Sequence, residues 1–520
     1  MRFTLLLMAA LSSLCAIAQN ENLTKFAETI TATDLQKHLY TIASPDMEGR
    51  ETATEGQRKA ATYIENYFKS IGLNPPAALN GGYQQSYVLN TDSLTSTSLT
   101  INKKDMVWGT DYLMPANANE DGEFSGKAVV FVGYGISSAN YDDYAGLNVK
   151  GKIVAFVNGE PKKDNIYYVS GNKQYSKEWA FSPSAKLANA LKHGAKGALM
   201  INPGSEGFNS GAAEGSKKSR MYLPSNTATV NGINITHSIG ETIFGKTLFD
   251  SFIEKAKKQQ PFTKEDYVVK KATIKATYAE KKKLDYSTNV LGVLEGTDKK
   301  DEYVFVTAHY DHLGMARGEL HPGADDDGSG TTGVLEIAEA FTKAAQAGYR
   351  PRRTMVFMTV SGEEKGLWGS EYYTNHPLFP LAKTSVDLNI DMIGRIDEKI
   401  ATADSTNYVY VIGDDKLSSE LAPITDSINK TYTHMMLDRK FNDPNDPNRF
   451  YYRSDHFNFA QKGVPVIFYF DNMQSDYHKK TDTPDKIYYP LQAKRAQLVF
   501  YTAWTMANRD EMMKRDIPLK

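Results

Sequence analysis

Four runs in the second half of the chain are apolar, β-branched or aromatic almost without a break: YVFVTA at 303–308, TMVFMTV at 354–360, SVDLNI at 385–390 and VPVIFYF at 464–470. A strand with one wet face alternates, whereas an unbroken run reads as a strand buried on both faces. Between the first two lies SGTTGVLEIAEAFTKAAQAG, where Val334, Ile337, Ala338 and Phe341 line one face of a helix. Strand and helix in alternation predict an α/β fold, a mostly parallel central sheet sandwiched by helices. Ligands in such sheets bind beyond the carboxyl ends of the strands, so the chemistry is sought there.

The rest of the chain is organised around that block. Residues 34–75 read as helical, with Ala60, Ile64, Phe68 and Ile71 on one buried face and Gly72 as the stop. Short strands are expected over 85–115. The runs GKAVVFVGYG, GKIVAFVNGEP and GALMINP then enter short strands through glycine, and SAKLANALKHGAKG reads as a helix closed by glycine. This stretch is rich in Gly, Ser and Asn and carries no convergent set of metal-type ligands. The expected division is a signal peptide at 1–18, the first part of the larger domain at 19–119, a smaller inserted α/β domain at 120–275, and the main part of the larger domain at 276–520.

The opening MRFTLLLMAALSSLCAIAQN has an early arginine, an apolar stretch and the small-x-small Ala16-Ile17-Ala18. That pattern predicts export, periplasmic or secreted, with cleavage after Ala18. The apolar run is short for a membrane span. Cys15, the single cysteine, raises lipid attachment as a rival, and Leu14 before it fits such a site poorly. The mature chain would then hold no disulfide, leaving core burial or metal to stabilise it. Over 520 residues the formal charge is −2, with 23% charged and 41% hydrophobic residues and no basic stripe. Nucleic acid is therefore not an expected partner, and stable membrane insertion is not expected either.

The four runs are followed by HYDH, SGEE, DMIG and, after a loop, DYH, with GADDDGSG between the first strand and its helix. Taken alone, each piece is bland: a histidine at a strand end is commonly a hydrogen-bonded structural residue, and an aspartate triplet among glycines is commonly a turn or a calcium-type cluster. Together they bring several carboxylates to one rim, where they repel unless cations neutralise them. Mixed imidazole and carboxylate ligands favour zinc over calcium or magnesium. Two zinc ions sharing one carboxylate need a histidine and a terminal carboxylate each. His309, His478, Glu364, Asp391 and one aspartate of the triplet supply that set. Glu363 is left over beside the cluster, placed to act as general base toward a metal-bound water.

The motifs NVLGVLEGTDKKDEYVFVTAHYDHLG, GADDDGSG, SGEEKGLWGSEYY, NIDMIG and DYHKKTDTPDK resemble the co-catalytic zinc exopeptidases of the aminopeptidase Y and glutamate carboxypeptidase II type. The resemblance covers roughly 285–500 with a supporting helix at 45–75, and the inserted block resembles a protease-associated domain. It implies that His309 and Asp391 hold one zinc, Glu364 and His478 the other, and Asp326 bridges them. Glu363 would be the base, and Asp311 would orient His309. It further implies a cis peptide bond between Asp326 and Asp327, with Asp325 and Asp327 as hydrogen-bonding supports. Tyr451 and Tyr477 match positions of substrate-contacting or oxyanion-stabilising tyrosines, beside a plain packing role for each in a chain with 31 tyrosines.

The expected activity is an exported exopeptidase acting on short peptides, removing N-terminal residues. Three alternatives stand beside it: a carboxypeptidase on the same centre, with Arg317, Arg395 and Arg453 as rim arginines able to clamp a carboxylate; a single-zinc glutaminyl cyclase, a branch that does not retain the first histidine ligand; and a catalytically inactive binding protein, a kind of relative that loses ligands. Preferred terminal residue and oligomeric state are not legible in the sequence.

Overall fold

The computed structural model describes residues 23–114, 122–180, 183–209, 211, 220–224, 228–316, 318–397 and 406–519. The expected signal peptide with Cys15 and Ala18, and the rim candidate Arg317, lie outside them. Two compact units divide the chain: one runs to Tyr87 and resumes at Tyr286, and the other is Val88–Asp285. The sequence division at 120 and 275 differs from this for a visible reason. Within the strand Gln84–Ile101, Asn90–Asp92 already pair with Arg220–Tyr222, and Val269–Tyr278 still pair with Gly122–Val130.

The main sheet of the first unit is built, among the described residues, on β1 (Val269–Leu294, which enters this unit at Tyr286 and whose last five residues pair with β3), β2 (Lys299–His309), β3 (Arg353–Val360), β4 (Thr384–Ile390), β5 (Tyr408–Ile412), β6 (Met436–Asp438) and β7 (Val466–Phe470). They lie in the order β6-β5-β7-β4-β2-β3-β1. The central four, β7, β4, β2 and β3, are parallel, while β1 runs antiparallel to β3 and β5 antiparallel to β7. All residues of β3, β4, β5 and β7 are buried, which is why these segments read as unbroken apolar runs. Register aligns Val306 with Phe357 and with Leu388, and Leu388 with Ile467. The parallel strands therefore end along a common carboxyl edge.

Helices cover both faces. Phe305 and Phe357 point to opposite sides of the sheet, because Phe357 is in register with Val306. Phe357 meets Phe341 of helix α3 (Gly330–Gln346) at 5.7 Å, and Phe341 meets Phe500 of helix α6 (Tyr489–Asn508) at 4.9 Å. On the other face Phe305 meets Tyr373 of α4 (Trp368–Asn375) at 5.6 Å and Phe459 of α5 (His456–Gln461) at 5.5 Å. The expected sandwich is the observed one.

Residues 34–75 are two helices, α1 (Ala32–Ile42) and α2 (Glu55–Ser70), rather than one helical stretch. Thr31 and Thr54 cap them by accepting the N–H of Asp34 and of Gln57. Pro45 opens a short 3-10 turn in which Glu48, Gly49 and Arg50 all adopt positive φ, so the chain cannot continue as an α-helix there. On α2, Ala60, Ile64 and Phe68 are fully buried as expected, while Ile71 is only half-buried and Leu73 beyond it packs inside. Gly292 in β1 makes that packing possible: a Cβ there would meet Leu73 at 2.6 Å and the Phe68 ring at 2.9 Å.

The second unit has its own sheet. Gly122–Phe131, Ile153–Val157, Gly197–Ile201 and Gly232–Ile235 are parallel neighbours, and Tyr112–Leu113 adds an antiparallel edge. The helix Pro183–Lys192 precedes Gly194, at φ +81°, where the sequence predicts its stop. Among the described residues, no helix of either unit is long and apolar enough to cross a membrane.

Candidate metal centre

The carboxyl edge of the first unit gathers the segments singled out by sequence. His309 is the last residue of β2 and fully buried; its Nε2 lies 3.3 Å from Asp326 Oδ1, 3.5 Å from Asp391 Oδ1 and 4.0 Å from Glu363 Oε2. On the other side of Asp326, Oδ2 lies 3.1 Å from His478 Nε2, and that nitrogen is also 3.1 Å from Glu364 Oε2. The middle aspartate of the triplet thus turns one oxygen toward each histidine. The Asp326–Asp327 peptide bond is cis, as the resemblance implies.

The flanking aspartates serve the backbone. Asp327 accepts from the N–H of His309 (3.2 Å), Gly330 (2.9 Å) and Met392 (2.9 Å), tying three segments together. Asp325 accepts from the N–H of Gly394 at 2.8 Å. Asp311 receives the Thr52 hydroxyl at 2.7 Å and the N–H of Glu363 at 3.2 Å, so its carboxylate fastens the candidate base. Its backbone oxygen, at 3.1 Å, is nearer to His309 Nδ1 than its carboxylate, at 3.7 Å. Burial pushes the Glu363 carboxyl well above its usual range; His309 opposes this, and Glu364 and Asp391 reinforce it.

Four further groups hold the centre, and none was singled out from the sequence. The fully buried Arg50 donates to four backbone oxygens, those of Tyr310 (2.7 Å), Ile42 (2.8 Å), Pro322 (2.7 Å) and Gly323 (2.8 Å). Asp482 accepts from the N–H groups of Asp325 and Asp326, at 3.0 and 3.1 Å. The Ser454 hydroxyl donates to Asp391 Oδ2 at 2.6 Å. His312, fully buried, sets Nδ1 2.7 Å from Glu364 Oε1. The second histidine of HYDH was the one visible clue to this last group. Positive φ at Leu367, Met392 and His478, non-glycine residues in three of the segments around the centre, marks backbone held in place by its surroundings.

The two tyrosine candidates part company. Tyr477 lines the cavity shared with His309, Asp326, Glu363 and Asp391, and stacks on His478 at 3.8 Å. Tyr451 instead lines a separate cavity of about 260 Å³ with Asp415, Lys416 and Asn442. Of the rim arginines, Arg395 is paired with Asp476 at 3.1 Å, and Arg453 lines the Tyr477 cavity.

The donor set suits divalent metal. His309 and Asp391, with Asp327 nearby, form one group whose ligand atoms lie within 4.8 Å of one another, and His312, Asp326 and Glu364 form another. Asp327 is saturated by backbone N–H groups, which leaves His309 and Asp391 as the available pair. Asp326 Oδ2, Glu364 Oε1, His478 Nε2 and both His312 ring nitrogens are buried and form no aligned hydrogen bond, although His312 Nδ1 faces Glu364 Oε1 at 2.7 Å and His478 Nε2 faces Asp326 Oδ2 at 3.1 Å. Buried polar atoms are ordinarily satisfied, and converging lone pairs without donors are what a cation requires. His312→Ala is expected to weaken divalent-metal affinity about 10- to 100-fold, measured by competition with a chromophoric chelator. Unchanged affinity would show that His312 only fills space.

Comparison with known proteins agrees with this geometry. Residues 289–503 match the model of Peptidase family M28. Over 132 residues, 24% of the chain, the sequence is 33% identical to aminopeptidase YwaD of Bacillus subtilis (strain 168), covering 27% of that protein. Over 154 residues, 29% of the chain, it is 29% identical to a probable zinc metalloprotease of Pyrenophora teres f. teres (strain 0-1), covering 30% of it. The matched segment thus spans less than a third of either relative. In fold the chain is similar to an aminopeptidase from Aneurinibacillus sp. strain AM-1, with a TM-score of 0.52 and 19% identity, covering 96% of this chain and 99% of that one. His309, Asp326, Glu363, Glu364, Asp391 and His478 all fall inside the residues matched by the model of Peptidase family M28.

Proposed function

We propose that the protein is an exported zinc-dependent exopeptidase that removes N-terminal residues from short peptides, with two zinc ions per chain. The observation that carries this reading is the placement of the two Asp326 oxygens, 3.3 Å from His309 and 3.1 Å from His478. In this reading His309 and Asp391 hold one ion, Glu364 and His478 the other, and Asp326 both. The ions supply Lewis-acid polarisation of the scissile carbonyl and of a water.

The chain's own residues do the rest. Glu363, buried beside His309, takes a proton from the attacking water and returns it to the leaving amine. Asp311 keeps the Glu363 backbone in place through its N–H. The Tyr477 hydroxyl, on the ring stacked against His478, donates to the carbonyl oxygen as negative charge develops. Asp391 and Glu363 give the cavity an anionic wall suited to a substrate ammonium group. That wall is the ground for choosing the amino end over the carboxyl end.

The test is turnover of a free-amine peptide and its N-acetylated analogue by zinc-loaded protein. Cleavage of the free-amine peptide alone is expected. Equal cleavage of the acetylated one would favour the carboxypeptidase reading. Glu363→Gln is expected to lower kcat by about 10²- to 10⁴-fold at unchanged zinc content, and retained turnover would remove the base. Export rests on the charge and apolar pattern of residues 1–18. Protein recovered outside the cytoplasm is expected to begin at Gln19 by intact mass. A chain starting at a lipid-modified Cys15, or at Met1, would overturn that site.

A further inference from the structure

Arg453 is the cation of the Tyr477 cavity, and it has no anionic partner among the described residues. It follows the turn Phe450–Tyr452 and precedes Ser454, whose hydroxyl holds Asp391, so its backbone is fixed relative to the metal centre. The guanidinium sits 5.1 Å from the centre of the Phe450 ring. One nitrogen donates to the Tyr477 hydroxyl at 3.2 Å, and another approaches Met473 Sδ at 3.5 Å. Arg395 is engaged by Asp476 in the same region. Arg453 is engaged only by neutral groups.

An exposed arginine is ordinarily just solvated. This one is pre-organised: the guanidinium lies over the Phe450 ring, and Tyr477 and Met473 take only two of its five N–H donors. The fork faces a cavity that also presents His309, Glu363 and Asp391 and is otherwise walled by Met392, Phe468 and Phe470. A planar fork with unused donors beside a reacting centre matches a carboxylate, with which it forms two parallel charge-assisted hydrogen bonds; a neutral amide cannot do the same.

We propose that Arg453 reads a carboxylate of the substrate and so sets which short peptides this enzyme prefers. The proposal rests on the peptidase reading and narrows its substrate class. The carboxylate comes either from the free C-terminus of a dipeptide or from an acidic side chain flanking the scissile bond.

Zinc-loaded full-length protein, wild type, Arg453→Gln and Arg453→Lys, is assayed on four substrates: the dipeptide Phe-Ala, its C-terminal amide, Phe-Asp amide and Glu-Ala amide. In the wild type at least one carboxylate-bearing substrate is expected to exceed Phe-Ala amide in kcat/KM by about tenfold or more, the difference residing in KM. A preference for Phe-Ala identifies the C-terminus as the source, and a preference for either acidic amide identifies the side chain. In Arg453→Gln the ratio falls to about one, and Arg453→Lys retains part of it. Equal rates on all four substrates in the wild type, or the same ratio in Arg453→Gln, would overturn the proposal while leaving the peptidase intact. Hydrolysis of none would overturn both readings.

Discussion

Buried negative charge at one strand edge is the constraint around which the first unit is organised. Asp311, Asp325, Asp326, Asp327, Glu364, Asp391 and Asp482 are all withdrawn from water within a few loops of one another. Like charges so placed repel strongly in a medium of low polarisability, and the chain answers in three ways. It offers backbone N–H groups to Asp325, Asp327 and Asp482. It places one guanidinium in the interior: burial pushes Arg50 down to about 10, against the pull of Asp311, Asp482, Asp327 and Asp326, so the group stays charged at neutral pH. And it sets oxygens of Asp326 and Glu364 against histidine nitrogens without aligned hydrogen bonds, an arrangement that suits a cation.

Parallel strands make such crowding possible. Because β2, β3, β4 and β7 run the same way in tight register, the residues that follow each strand arrive at one edge although they lie far apart in sequence. The loops are then locked to one another rather than to solvent. Asp327 joins the ends of β2 and β4, Asp482 holds the triplet from the far end of the chain, and Asp311 joins the ends of β2 and β3. The candidate metal ligands are held by a scaffold of carboxylate-to-backbone hydrogen bonds drawn from several loops.

Most of the fold and the cluster of candidate ligands were legible because they leave local marks. An unbroken apolar run announces a strand buried on both faces, and Asp, Glu or His just beyond its end announces the site. What was not legible acts through space. Arg50 is one arginine among many until its four carbonyl partners, drawn from three separate segments, are seen. Asp482 looks like surface charge in KKTDTPDK, and Ser454 like any turn serine. Tyr451 was drawn to the centre by motif position, yet the turn Phe450–Tyr452 directs Phe450 into the ligand cavity and Tyr451 into another. The unit boundary at Val88 was missed because one unbroken strand, Gln84–Ile101, runs through it.

The account rests on a pair of ions sharing Asp326, and counting metal tests it most directly. Zinc bound per chain, measured by mass spectrometry of the protein equilibrated with zinc and freed of excess, is predicted to be two in the wild type. In Asp326→Ala, both sites are predicted to weaken together, whereas Asp391→Ala is predicted to weaken one. A wild type saturating at a single zinc, or an Asp326→Ala protein that still holds two, would contradict the shared-carboxylate centre.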